Sequence, residues 1–123
     1  MNKQNKKFDL QDRLIDYAVR IINVSEQLSN SKTGKHISSQ ILRSGTSPAP
    51  NYGEAQSAES SADFIHKLKV ALKELRETEV WLKIIVKSKN IEPTEKLLPL
   101  LKETEELISI IFKSIDTAKK NSK

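Results

Sequence analysis

Apolar residues recur along the chain at three- and four-residue intervals between charged and amide side chains, a spacing that predicts helices. The first segment, about residues 9–28, puts Leu14, Ala18, Ile21, Ser25 and Leu28 on one line, flanked by Tyr17, Ile22 and Val24. Asp9 is placed to cap it, and Asp12 falls in the first turn, where the helix dipole favours an acid. Ser29 to Gly34 reads as a loop. The second segment, about 35–58, opens on Ile37, Ile41 and Leu42 and then turns small and polar from Arg43 to Ala55. Pro48 and Pro50 each remove a backbone donor and crowd the preceding turn, so a kink or break near 47–50 is expected. Gly45, Ala49, Gly53 and Ser57 lie four apart and would form a smooth strip on which another helix can lie close.

The third segment, about 61–88, has the clearest period: Phe64, Leu68, Ala71, Leu75, Thr78, Leu82 and Ile85. Ser60 with Asp63 three residues on marks its start, and Ser88-Lys89-Asn90 its end. In the fourth, about 94–118, Leu97, Leu101, Thr104, Ile108, Ile111, Ile115 and Ala118 repeat the pattern. An irregular turn from Thr94 should lead into a regular helix near Leu98, with Pro99 in its first turn. The expected fold is all-α: an antiparallel up-down-up-down four-helix bundle over residues 8–118, with a kinked second helix.

The third helix has more apolar circumference than three partner helices should need. At 100° per residue its main stripe spans a normal core width, yet Val70, Trp81 and Ile84 lie on one flank and Ile65 and Leu72 on the other. Trp81 shares its flank with Lys67, Glu74 and Glu77, and an aromatic among paired charges suits a protein interface. The other reading is a tryptophan packed partly under a loop or beside a neighbouring helix of the same chain; self-association is the favoured expectation, and the pattern itself sets no copy number. Opposite the core, Lys69, Lys73, Arg76, Lys83 and Lys87 form a basic ridge, which reads either as a solvated face or as a phosphate-backbone contact.

Composition narrows the chemistry. In 123 residues there is no cysteine, which excludes disulfide scaffolds and thiolate metal sites, and aromatics are 5%, so the core must be aliphatic. The net charge of +5 comes from the ends: Lys3, Lys6 and Lys7 before the bundle (tail 1–7), and Lys119, Lys120 and Lys123 after it (tail 119–123). The body between them is close to neutral. No apolar run reaches a membrane span and no signal peptide precedes the first segment, so the cytoplasm is the expected compartment. His66 follows Asp63 and His36 follows Thr33 at three residues, so the Glu-x-x-His pairs of di-iron bundles are missing, as is His-Glu-x-x-His. Gly34-Lys35-His36 lacks both the earlier glycine and the hydroxyl of a phosphate loop. Arg43, Ser47, Asn51 and Glu54 share one side of a continuous helix and read as a hydrogen-bonded network, less readily as an acid–base pair. The expectation is a non-enzyme with no cofactor, metal or small-molecule substrate.

One resemblance adds to this. Gln40-Ile41-Leu42-Arg43-Ser44-Gly45-Thr46-Ser47 leads into Asn51-Tyr52-Gly53-Glu54-Ala55; then come Asp63-Phe64-Ile65-His66-Lys67-Leu68 and Ala71-Leu72-Lys73-Glu74-Leu75-Arg76-Glu77-Thr78, ending in Trp81-Leu82. Over nearly its whole length the chain resembles the bacterial four-helix-bundle family of large-subunit (23S) rRNA intervening-sequence proteins. The resemblance implies a ring-like homopentamer of largely unassigned role. It implies Arg43, Ser44, Asn51, Glu54, Phe64, Lys67, Glu74, Glu77 and Trp81 as signature positions for packing and subunit contact. A related group, the retroelement accessory variability protein, is a basic pentamer that engages nucleic acid and a reverse transcriptase. By that analogy the Lys69 to Lys87 ridge and the tails would hold RNA or DNA, although this chain's near-neutral body departs from those strongly basic proteins.

Overall fold

The structure, a computed structural model, describes residues 10–122; the Asp9 cap, the 1–7 tail with Lys3, Lys6 and Lys7, and Lys123 lie outside them. In chain order the elements are α1 (Leu10–Gln27), α2 (Lys32–Thr46), α3 (Pro48–Gln56), α4 (Ser61–Ser88), a 3-10 turn (Thr94–Leu97) and α5 (Leu98–Asn121). No strand occurs among the described residues. With α2 and α3 taken as one interrupted leg, four helical legs pack around a single core.

Capping chemistry explains three of the boundaries. At the start of α4 the Ser60 hydroxyl accepts the Asp63 N–H at 3.0 Å, as its sequence signature predicts. Its end is closed by Lys89 in the left-handed region (φ 57°), with the Asn90 N–H returned to the Ile85 carbonyl. The second leg starts earlier than expected, at Lys32. Ser31 caps it by accepting the Gly34 N–H at 3.0 Å, so Lys32 to Gly34 are helical, not loop. Gly34 is required there, because a Cβ would stand 2.0 Å from the Ser29 carbonyl oxygen.

The second leg is interrupted at Ser47, whose own dihedrals stay helical (φ −73°, ψ −36°). Pro48 and Pro50 fall in the first turn of α3, where missing backbone donors leave no internal bond unmade. Asn51 compensates: its side-chain amide and its backbone N–H both donate to the Ser47 carbonyl, at 3.0 and 3.2 Å. The fourth leg runs three residues past the expected limit of 118. Lys119 and Lys120 belong to its last turn, where cations complement the dipole, and Lys120 pairs with Asp116 at 3.2 Å.

The core is aliphatic apart from Tyr17. Leu14, Tyr17 and Ile21 of α1 meet Ile37 and Ile41 of α2, Leu68, Leu75, Leu82 and Ile85 of α4, and Leu107, Ile111 and Ile115 of α5. On α5 the deepest line is Leu100, Thr104, Leu107, Ile111 and Ile115; Leu101 and Ile108 are half-buried beside it. Burial of Leu100 and Leu107 turns that line a fraction of a turn from the one the spacing suggested. Two hydroxyl pairs cross the core. The Tyr17 hydroxyl lies 2.7 Å from Thr104 Oγ1, which donates to the Leu100 carbonyl, and Thr78 Oγ1 lies 2.8 Å from Ser44 Oγ. Burial raises the Tyr17 pKa well above the usual tyrosine value, so the ring keeps its proton as a donor. No buried side-chain nitrogen or oxygen among the described residues lacks a partner.

The small-residue strip does seat another helix. Gly45 lies against Ile21, a Cβ there falling 2.6 Å from Ile21 Cγ2, and Gln11 of α1 donates to the Ala49 carbonyl at 2.9 Å. Ser57, the last of the strip, is exposed and takes no part. Arg13 near the start of α1 reaches Glu103 and Glu106 of α5 at 2.7 and 3.1 Å, while Val24 near its end shares a cleft with Leu97 and Leu100. No described helix is long and apolar enough to cross a membrane.

Candidate functional site

Four of the nine signature positions converge on the seam between α2 and α4. Arg43, in the last turn of α2, sends Nη1 to Glu74 Oε1 at 3.0 Å and Nη2 to Glu77 Oε2. Glu74 and Glu77 stand one turn apart on α4, a spacing that the planar guanidinium fork spans. The Glu77 oxygen also accepts the Trp81 indole N–H at 3.0 Å. The far side of the indole meets His36 edge to face, with centroids 5.9 Å apart and planes at 73°. Two helices thus fix the tryptophan's orientation, and its ring stays half-buried. With the Arg43 side chain 49% exposed, these ion pairs contribute modestly to stability, and their main effect is positional.

The other positions divide into separate contacts. Ser44 is fully buried against Thr78. Asn51 serves the Ser47 cap. Glu54 takes the Lys67 ammonium at 2.6 Å, a hydrogen bond that raises the Lys67 pKa above its ordinary value. Phe64 packs half-buried at the core's edge and lines a groove of about 550 Å³ with Ile110 and Ala118 of α5. The Arg43, Ser47, Asn51 and Glu54 network expected from the sequence is therefore not one network: Arg43 turns to α4, Asn51 to Ser47 and Glu54 to Lys67. Arg43 and Glu54 are taken instead by longer-range partners on α4. Arg43 and Glu54 make no contact as an acid–base pair. Among the described residues, no three His, Asp or Glu side chains are grouped to hold a metal ion.

The basic ridge stands in solvent: Lys69, Lys73, Arg76, Lys83 and Lys87 are all exposed. Among the described residues only Lys83 of the five has an ion pair, with Glu79 at 3.8 Å. The ridge is also less purely basic than it reads in sequence. Val80, 55% exposed, lies between its cations, and Ile84, 39% exposed, adjoins it; the two line a shallow groove with Lys83, Lys87 and Ser88.

A second exposed apolar line lies on α1, where Ile15, Val19 and Ile22 are 46%, 49% and 37% exposed, with Leu42 of α2 at 39%. The first segment's pattern holds this signal, since Ile15, Val19 and Ile22 repeat at helical spacing opposite the core line. Asp12, Asp16 and Glu26 are exposed on the same helix. Its two arginines are directed elsewhere, Arg13 to α5 and Arg20 to the cleft shared with Ile91 and Lys96.

The family described as "23S rRNA-intervening sequence protein" matches residues 6–113. A crystal structure from Bacteroides thetaiotaomicron VPI-5482, described as a protein with unknown function from the S23 ribosomal protein family, superposes with a TM-score of 0.80. It is 39% identical in sequence, over 86% of this chain and 97% of that one. No functionally curated protein matches the chain. With the family match covering most of its length and the same helical architecture in a solved relative, the chain belongs to the 23S rRNA-intervening sequence protein family.

Proposed function

We propose that this protein is a non-enzymatic, self-assembling module, a ring-like cytoplasmic homopentamer that acts as a scaffold by presenting one surface repeatedly. Its bundle is antiparallel, up-down-up-down, with the second helix kinked at Ser47. Opposed contacts along α1 and α5 support that topology: early α1 meets the middle of α5 and late α1 meets its start. One observation carries the assembly: large aliphatic side chains at 37–55% exposure lie in lines on α1 and α4, away from the core. Isolated exposed apolar residues need no explanation, but aligned ones on two helices mark surfaces awaiting a partner. Five copies is the number that the family resemblance implies. The Arg43, Glu74, Glu77 and Trp81 cluster holds the α2–α4 seam in the shape that assembly requires.

A second reading, an RNA- or DNA-binding accessory role, is favoured by the solvent-facing ridge. It predicts binding that weakens steeply with salt and fails in Lys69→Glu/Lys73→Glu/Lys87→Glu. One experiment separates the two: light scattering on purified protein, with nuclease treatment of half the sample. A particle of about five chains that survives nuclease, and that shrinks in Trp81→Ala, supports self-assembly. A monomer that gains mass only with added RNA or DNA supports the second reading and rejects the first.

A further inference from the structure

We infer that the assembly contact is head-to-tail: the acid-edged apolar line of α1 on one copy seats on the base-edged apolar line of α4 on the next. This rests on the self-assembly proposed above and names its surfaces. The two lines are unlike, so neither complements itself. Ile15 and Val19 are exposed beside Asp12 and Asp16; Val80 and Ile84 are exposed beside Arg76, Lys83 and Lys87. Like charges would meet if either face paired with itself, whereas opposite charges meet if one face pairs with the other. A contact between two different faces of one protein is heterologous and makes a ring where its rotation closes.

The spacing agrees. In the up-down-up-down bundle α1 and α4 run in the same direction, and copies related by an axis along the bundle keep them parallel. Setting Ile15 opposite Val80 then sets Val19 opposite Ile84, since each pair is four residues apart. At 100° per residue, Asp12 and Asp16 lie about 40° and 80° to one rotational side of the Ile15–Val19 line. Arg76, Lys83 and Lys87 lie about 40–80° to the opposite rotational side of the Val80–Ile84 line. When parallel helices are laid face to face, opposite rotational sides form one edge, so acids and bases meet along it. In that register Asp12 is about 1.5 Å of rise from Arg76, and Asp16 about 3 Å from Lys83, both within side-chain reach. Antiparallel pairing would put the acids on the edge of Glu77 and Trp81.

Charge reversal tests this in solution. Asp12→Lys/Asp16→Lys and Arg76→Glu/Lys83→Glu should each weaken assembly by about tenfold or more in sedimentation velocity, with helicity unchanged. Combining all four substitutions in one chain should restore assembly. If wild type assembles and both variants assemble as tightly, the placement on α1 and α4 is overturned while self-assembly stands. If the four-substitution chain stays dissociated, the pairing between those faces is likewise overturned. A monomeric wild type overturns self-assembly itself. Should a reversed chain lose helicity, Val19→Ser and Ile84→Ser take its place, and an unchanged mass in both refutes the contact.

Discussion

Leu82→Ala is expected to be among the most destabilising single substitutions in this chain, lowering unfolding free energy by about 2–5 kcal/mol. Leu82 is fully enclosed, on the α4 line that also holds Leu75, Thr78 and Ile85. Removing its branched end takes away buried apolar atoms and leaves a cavity that rigid neighbours fill only partly. Domains of this size have roughly 5–15 kcal/mol in total, so the loss is a large share. Urea denaturation followed by circular dichroism reads it as a lower midpoint with little change in slope. Wild type and variant must be compared at one protein concentration, because assembly adds to apparent stability by mass action. A change below about 1 kcal/mol would show that the site is loosely packed.

Gly45→Ala should also lower stability, by about 1–3 kcal/mol, and it should couple to Ile21. Alanine is ordinarily the better helix former, so propensity alone predicts a gain of up to about 1 kcal/mol. Packing reverses the sign. The added Cβ would fall 2.6 Å from Ile21 Cγ2 and 2.7 Å from Cγ1, both within a fully buried side chain. Helices α1 and α2 would have to separate, or Ile21 would leave its rotamer. Ile21→Ala opens space at the same point. The double variant should therefore cost less than the two single losses added, with an interaction of about 0.5–3 kcal/mol. Simple additivity would mean that the two residues are not in the contact described.

Much of the architecture can be read from spacing because helix faces are local. The α4 start at Ser60, its end at Lys89 and the entry of α5 after a turn from Thr94 each follow from a few adjacent residues. Where two local signals compete, spacing is a poorer guide. Ser29 and Ser31 both precede Lys32, and Ser31 is the one whose hydroxyl reaches the Gly34 N–H. Pairings between distant residues are hidden altogether. Nothing near Arg43 in sequence announces Glu74 and Glu77, and nothing near Tyr17 announces Thr104. The candidate surface was half legible for a similar reason. The ridge on α4 stood out by charge, but Val80 among the lysines and the α1 line opposite the core become visible only once the core has claimed its own residues.

The claim on which the rest depends is that copies of this chain cover one another's exposed aliphatic lines. Sedimentation equilibrium of the unmodified protein across micromolar concentrations tests it most directly. A particle of about five times the 13.9 kDa chain mass, dissociating on dilution, is the expected result. A mass of 13.9 kDa at every concentration, with Ile15, Val19, Val80 and Ile84 still facing water, would contradict it.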